Sequence, residues 1–441
     1  MNEICFFCIF LLAPTASDSL WVRAPYVQHT TQTAFSLLWE TTVPQACTTK
    51  IRSPNDENVW ERTSGPQTEH EVRFEGLAPS THYNYEIHCE HADFRDFTVT
   101  APPANEPFTF LVYGDTRHGH LMHRALVQAL ALESMSFVMH TGDFVDDGMR
   151  RVHWVRFFDI AHPFMRRIPL YPTVGNHENA FGVGEELFRR FFAVPDDGPY
   201  PEMVYAFTWG NSRFFVLNSN KPFTGNPQTA WMRAQLQETS MERSIQHLFV
   251  FVHQSPYSSG PHGPIEDLID SGLVDDMRRF GIDILFAGHD HMYERGRVDG
   301  LNYVITAGGG APVYYVKQNL PYSLVTEPTY HYTRIHVDGD RVELDAVRID
   351  GSLLDSVQLR RTLHNKKPPR VEVVREQHSK PIPSALVETI TSDNQNSTVS
   401  HPPTSHKTST IFITILLSLL IVLLFGGVIL GIRYIQQHQK H

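Results

Sequence analysis

The chain has 441 residues, of which 41% are hydrophobic and 19% charged, proportions that exclude wholesale disorder. That length calls for more than one folded unit. The formal net charge of −11 excludes the basic surface that non-specific nucleic-acid binding needs, yet it leaves phosphate substrates open, because bound metals reverse the local field.

Residues 1–17 have the outline of a signal peptide. A short apolar run is followed by Ala13, Pro14, Thr15, Ala16 and Ser17, although Glu3 stands where positive charge is usual. Residues 18–103 read as all-β. Phe35, Leu37 and Trp39 alternate, as do Tyr83, Tyr85, Ile87 and Cys89, each set lining one strand face. The stretch from Leu77 to Tyr83 resembles the tyrosine corner of fibronectin type III sandwiches. A small sandwich with no catalytic cluster suits a spacer or a substrate rim. Cys47 and Cys89 are the cysteines outside the leader. They either pair, in an oxidising compartment, or stay as buried thiols.

Residues 104–362 repeat one pattern: a short apolar run that ends in a polar motif. The runs 108–113, 137–140, 170–174, 248–252 and 282–287 deliver Gly114-Asp115, Gly142-Asp143, Gly175-Asn176-His177, His253 and Gly288-His289-Asp290-His291. Functional side chains at the carboxyl ends of strands are the layout of α/β sites. Helical stretches at 121–132 and 229–238 lie between. Gly308-Gly309-Gly310 lacks the spacing of a nucleotide loop and suits close backbone approach, while Trp154, Phe157 and Phe158 suit the core. Residues 363–410 are rich in Ser, Thr, Pro and Asn, as an extended stalk would be, and carry the glycosylation triplet Asn396-Ser397-Thr398. Residues 411–432 form an uncharged apolar stretch, and roughly 20 such residues span a bilayer. Lys407 precedes it, and Arg433 and Lys440 follow in the tail, 433–441. With a cleaved leader, this gives an external body and an internal tail. A lipid-anchor signal usually ends apolar, which this tail does not.

The strand-end residues form one chemical set. Carboxylates, imidazoles and an amide oxygen are ligands for divalent Zn, Mn or Fe. Two such ions sharing a carboxylate lower the pKa of a water and clamp both oxygens of an in-line displacement. The ordered motifs resemble those of the calcineurin-like metallophosphoesterases. The run from Gly288 to Arg295 is similar to the purple acid phosphatase branch, whose members also carry an N-terminal fibronectin-like sandwich. The resemblance covers residues 21–362. It implies a four-layer α/β (α+β) sandwich of two mixed sheets flanked by helices, with two divalent metal ions. In it Asp143 bridges the ions, Asp115 and His291 hold the first, and Asn176, His253 and His289 hold the second. It also makes His177 the proton donor to the leaving oxygen and His262 a second substrate contact.

One departure stands out. The purple enzymes place a tyrosine three residues after the bridging aspartate, where this chain has Asp146, and the wider family has a histidine where this chain has Arg117. Asp146, His118 or water could complete the first metal, and a protein without the purple colour is expected. For Asp146 and Asp147 an acidic turn capping the next helix is the competing reading, and for His118, His120 and His123 a solvated helix start. Arg117 suits a phosphate clamp or a structural ion pair. The expectation is a membrane-anchored extracytoplasmic phosphatase acting on small phosphomonoesters, with no nucleic-acid partner. A phosphodiesterase or nucleotide pyrophosphatase on the same site, and an inactive surface ectodomain, are the alternatives.

Overall fold

The computed structural model describes residues 20–53, 58–101, 107–179, 184–364 and 367–379. The expected leader, the stalk beyond residue 379, the apolar stretch 411–432 and the tail lie outside the described residues. Among the described residues no helix is long and apolar enough to cross a membrane.

The first five strands, β1 (Trp21–Thr31), β2 (Ala34–Arg52), β3 (Val59–Glu75), β4 (His82–Cys89) and β5 (Asp93–Thr100), make an all-β sandwich. The long β2 pairs with β1 through its first half, with β4 through its second, and with β3 along most of its length. The alternating Phe35, Leu37 and Trp39 point into a core shared with Tyr83, Tyr85 and Ile87, as strand periodicity requires. Tyr83 Oη accepts a hydrogen bond from Ala78 N at 2.8 Å, tying down the turn before β4. Cys47 and Cys89 face each other across β2 and β4, with a Cα separation of 4.2 Å, and form a disulfide.

The remaining elements are β6 (Phe108–Tyr113), α1 (His120–Leu130), β7 (Phe137–His140), α2 (Arg151–Met165), β8 (Leu170–Pro172), α3 (Asn176–Asn179), α4 (Glu185–Phe191), β9 (Tyr205–Trp209), β10 (Ser212–Val216), α5 (Pro227–Thr239), β11 (His247–Phe251), α6 (Glu266–Asp270), α7 (Leu273–Phe280), β12 (Ile284–Ala287), β13 (Tyr293–Val298), β14 (Leu301–Thr306), β15 (Ser323–Glu327), β16 (His331–Asp338), β17 (Arg341–Arg348), β18 (Leu353–His364) and β19 (Lys367–His378). They build two seven-stranded mixed sheets, ordered β19-β18-β17-β16-β6-β7-β8 and β15-β13-β14-β12-β11-β10-β9.

Side-chain alternation explains the layering. Phe110, Val112, Phe137 and Met139 of the first sheet meet Phe249, Phe251, Ile284 and Phe286 of the second in the central core. The intervening Leu111, Tyr113 and Val138 face outward under α1 and α2. Leu248, Val250 and Leu285 face outward under α5 and α7. Strands covered on both faces must be apolar at every position, which is why these runs read as unbroken in the sequence. Each large side chain so buried contributes about 1.5–3 kcal/mol.

The sheet runs past the boundary placed at residue 362, because β18 ends at His364 and β19 pairs with it in antiparallel register. The prolines and charges around Lys367 masked the strand, yet β19 is an edge strand, where both are tolerated. The sandwich docks on α2, α4 and β8 rather than on the strand-end loops. Arg23 stacks 3.8 Å from the Phe191 ring, Tyr26 donates to Phe191 O at 2.8 Å, and Tyr171 donates to Thr30 O at 2.6 Å. Glu69 receives both Arg151 and Arg190 at 2.8 Å. These contacts make the sandwich a fixed buttress of the outer helix layer.

Candidate metal centre

Parallel strands β6, β7 and β8 of one sheet, and β11 and β12 of the other, end at the same place, so their loops converge. Backbone bonds knit them together. Asp115 N donates to Gly142 O at 2.9 Å, Thr116 N to Asp143 O at 3.0 Å, and Gly288 N to His253 O at 2.9 Å. His289 N reaches Asp115 Oδ1 at 3.1 Å and so joins the two sheets. Two motif glycines are required by space: a Cβ on Gly175 would lie 2.3 Å from Asp143 N, and one on Gly288 would lie 2.5 Å from Asp115 Oδ2. Three donor residues take left-handed backbone, Asp115 at φ 61°, Asp143 at φ 55° and His289 at φ 70°. Such conformations in side-chain-bearing residues cluster at functional sites.

Two groups of donors result. Asp143, His253 and His289 form one, and Asp115, Asp143 and His291 the other, each with ligand atoms within 4.8 Å of one another. Asp143 belongs to both, as a bridging carboxylate must. Asn176 joins the former group, its Oδ1 lying 3.0 Å from His253 Nε2. The imidazoles are oriented by carbonyls behind them: His253 Nδ1 donates to Thr141 O and His291 Nδ1 to Pro312 O, both at 2.8 Å. Each therefore presents Nε2 inward, the arrangement that fixes the tautomer of a metal-binding histidine.

The electrostatics call for cations. Burial and then the charge of Asp143 push the Asp115 carboxyl well above its ordinary range. Burial also raises Asp143, but His253, His177 and Arg117 outweigh it and hold that carboxyl low. Burial, followed by neighbouring His253, keeps His289 neutral down to about 2, and burial keeps His291 neutral down to about 4. Two buried carboxylates among neutral imidazoles are stable together only with positive charge between them. Asp143 Oδ2 is buried without a hydrogen-bond partner, an acceptor with coordination capacity to spare. The donor set fits divalent metal ions.

Arg117 supplies part of that charge itself. Its Nε lies 3.3 Å from Asp143 Oδ2, and its Nη2 lies 3.4 Å from His291 Nε2. The sequence left clamp and ion pair open, and the guanidinium here pairs with the bridging carboxylate. His177 N–H donates to Asp143 Oδ1 at 3.1 Å. Its ring Nδ1 donates to Asp146 O at 2.7 Å, which leaves Nε2 facing Asp143 Oδ2 at 3.8 Å. His262 Nδ1 donates to Asp290 Oδ1 at 2.9 Å, and its ring lies 4.2 Å from that of His289.

Asp146 departs from its expected role as a metal ligand. It belongs to neither donor group; its carboxylate turns away to His118 Nε2 at 2.9 Å, and its backbone carbonyl serves His177. An aspartate side chain is shorter than the tyrosine it replaces, and here it finds a nearer partner. Asp147 Oδ1 accepts from Met149 N at 2.9 Å, stabilising the turn before α2.

Three residues had no role assigned from the sequence. Glu178, fully buried, accepts from Asp143 N and Gly175 N at 2.9 Å and from Val145 N at 3.2 Å. It fixes the loops that carry the bridge, and burial and then Asp143 push its carboxyl up to about 8. Asp290 anchors His262 and receives Ser258 Oγ. Tyr314 stacks on His291 at 4.0 Å and accepts from Arg117 Nη2 at 3.2 Å. Glu178 and Asp290 sit inside motifs, where their neighbours drew the attention; no sequence signal marks Tyr314. The glycine triplet packs as expected, Gly309 N donating to Gly114 O at 2.8 Å.

Comparison with known proteins agrees with this geometry. Residues 87–293 match the family model described as calcineurin-like phosphoesterase. The chain is 26% identical over 258 residues to an uncharacterized protein of Mycobacterium tuberculosis, covering 50% of this chain and 49% of that one. It is 25% identical over 289 residues to purple acid phosphatase 21 of Arabidopsis thaliana, covering 61% and 65%. A purple acid phosphatase from yellow lupin seeds has the same fold, with a TM-score of 0.66 at 18% identity over 76% of this chain and 73% of that one. The chain spans about half the length of the curated relatives it first matches.

Proposed function

We propose that this chain, which carries a calcineurin-like phosphoesterase domain, is a metal-dependent phosphatase that hydrolyses phosphomonoesters outside the cytoplasm, anchored through residues 411–432. The observation that carries the reading is the double donor set sharing Asp143, with His177 Nε2 directed at the same carboxylate. Asp115, Asp143 and His291 would hold one divalent ion, Fe, Mn or Zn, and Asp143, Asn176, His253 and His289 the other. When bound, such ions supply Lewis acidity to the phosphoryl oxygens and lower the pKa of a water.

The protein's own groups divide the remaining work. Arg117 lies beside Asp143 with a fork that matches a pair of phosphoryl oxygens. It orients the ester and offsets negative charge as the transition state forms. His177, held at Nδ1 by Asp146 O, gives its Nε2 proton to the departing alkoxide, which is general acid catalysis by a fixed imidazole. His262, held by Asp290, donates from Nε2 to a phosphoryl oxygen on the side of His289. His253 and His291, pinned by carbonyls, keep their donor geometry without reorganising.

Metal analysis joined to phosphatase assays tests this. Wild type should carry two ions per chain and release phosphate from an aryl phosphate faster than from its diester. Asp143→Asn should lose metal and activity together. Several kcal/mol of metal-derived stabilisation, at about 1.4 kcal/mol per decade, correspond to a fall on the order of 10³-fold. Full metal content and activity in the variant would refute the bridging role. An extracytoplasmic site is supported by the Cys47–Cys89 disulfide, since such bonds persist in oxidising compartments. Mass analysis of protein isolated with thiols blocked should find that pair oxidised, and free thiols would count against the location.

A further inference from the structure

Beside the metal centre lies a cavity of about 210 Å³ between the first turns of α1 and α2. Its polar lining is His118, His120, His123, His153 and Arg156, with Asp146 as the acidic member. We propose that this cavity is a second anion subsite, which takes the distal phosphate of a bisphosphorylated substrate whose other phosphate is hydrolysed at the metal centre. The proposal rests on the phosphatase reading and names the substrate class for it.

Three features point to an anion. Both helices begin here without a side-chain cap and without an acidic residue in the first turn. The partial positive charge of both helix ends remains available to a ligand. Arg156 has no ion-pair partner among the described residues, so a full positive charge borders the cavity uncompensated. His153 Nδ1 is buried without a hydrogen-bond partner, a polar atom that a ligand oxygen would satisfy. The Asp146 carboxylate already has a partner in His118 Nε2 at 2.9 Å.

The histidines serve the cavity as neutral donors. Burial, then Arg156, His153 and His118, lowers the His120 pKa. Burial, then His120 and Arg124, takes His123 down to about 3. Near neutral pH these two rings are therefore N–H donors rather than charges, and the charge resides on Arg156 and the helix ends. An entering phosphate would gain a charge-assisted hydrogen bond from Arg156 and neutral ones from these rings.

The cavity adjoins the reaction site through residues neighbouring those of the centre. Thr116 and His118 flank Arg117 in one loop. Asp146 faces both ways, its carboxylate pairing with His118 and its carbonyl holding the proton donor His177. One substrate can therefore place a phosphate on each side of Asp146. The volume far exceeds the ~10–15 Å³ that a single water requires.

The test compares an aryl phosphate with a sugar bisphosphate on the metal-loaded full chain, in wild type and in the double variant His120→Asn, Arg156→Gln. The bisphosphate KM should be about tenfold lower than that of the matching sugar monophosphate in wild type, and the double variant should erase that advantage, as loss of one charge-assisted contact predicts. Aryl phosphate turnover should be unchanged, which also reports that the variant is folded. Equal KM values for the mono- and bisphosphate in wild type, or a parallel loss on both substrates in the variant, would overturn the subsite while leaving the phosphatase reading intact. Calorimetric titration with inorganic phosphate separates the two ideas if neither substrate turns over. Two equivalents per chain in wild type and one in the double variant support the subsite; the same stoichiometry in both refutes it.

Discussion

The two halves of the metal centre are built unequally. The half formed by Asn176, His253 and His289 around Asp143 draws on both sheets, and the His253 ring is locked by Thr141 O. The half formed by Asp115 and His291 has fewer protein ligands, and Arg117 lies against it. The first is a closed donor set that needs only its ion. The second mixes fixed cation and metal, so part of the positive charge there is permanent and covalent. A site can thus lose a ligand without losing electrostatic balance, provided an arginine enters with the right reach.

The comparison can be broken by deleting one histidine from each half. His253→Ala should lower kcat/KM on the order of 10³-fold, the several kcal/mol expected from losing a metal. His291→Ala should cost about tenfold less, because the Arg117 charge stays. Steady-state assays with metal counts check this, and equal losses would show that the halves are equivalent.

Acid should sharpen the same contrast. A histidine binds metal only when neutral, so falling pH removes the ion as the ring protonates. His291 holds neutrality to about 4 and His289 to about 2, both depressed by burial. The sign follows: binding is complete well above these values and is lost as pH falls, first in the half with His291. Metal content after dialysis from pH 6 downward should drop in two steps. A single step would mean that the ions leave together. The smallest effect is expected at Asp146. Asp146→Asn keeps the carbonyl that holds His177 and removes only the ion pair with His118, an exposed pair worth roughly 0–1 kcal/mol. Metal content should be unchanged and activity within about twofold; loss of an ion would restore Asp146 as a ligand.

The sequence made the centre legible because its strands are short, apolar and end in chemistry. The runs that become β6, β7, β11 and β12 are buried on both faces, so nothing interrupts them until the glycine that admits the donor. Asp115, Asp143, Asn176, His253, His289 and His291 could therefore be read in order. Asp146 stayed open between ligand and acidic turn, because spacing says where a residue sits in the chain and not which neighbour its side chain prefers. Tyr314 and the pair of helix starts around His120 and His153 depend on tertiary approach, to which the linear pattern is blind. The strand β19 was hidden by composition, since an edge strand with prolines and charges looks like a linker.

Asp115, Asp143 and His289 sit where an L-residue's backbone is uncomfortable, at φ between 55° and 70°. Each such conformation costs about 1–2 kcal/mol, and both carboxylates are also deprived of water. Replacing Asp115 or Asp143 with glycine would relieve that strain but leave His289 N or His177 N without its carboxylate acceptor. Backbone strain and desolvated charge are thus concentrated on the very residues that carry the chemistry, while the hydrophobic layers beneath them carry neither.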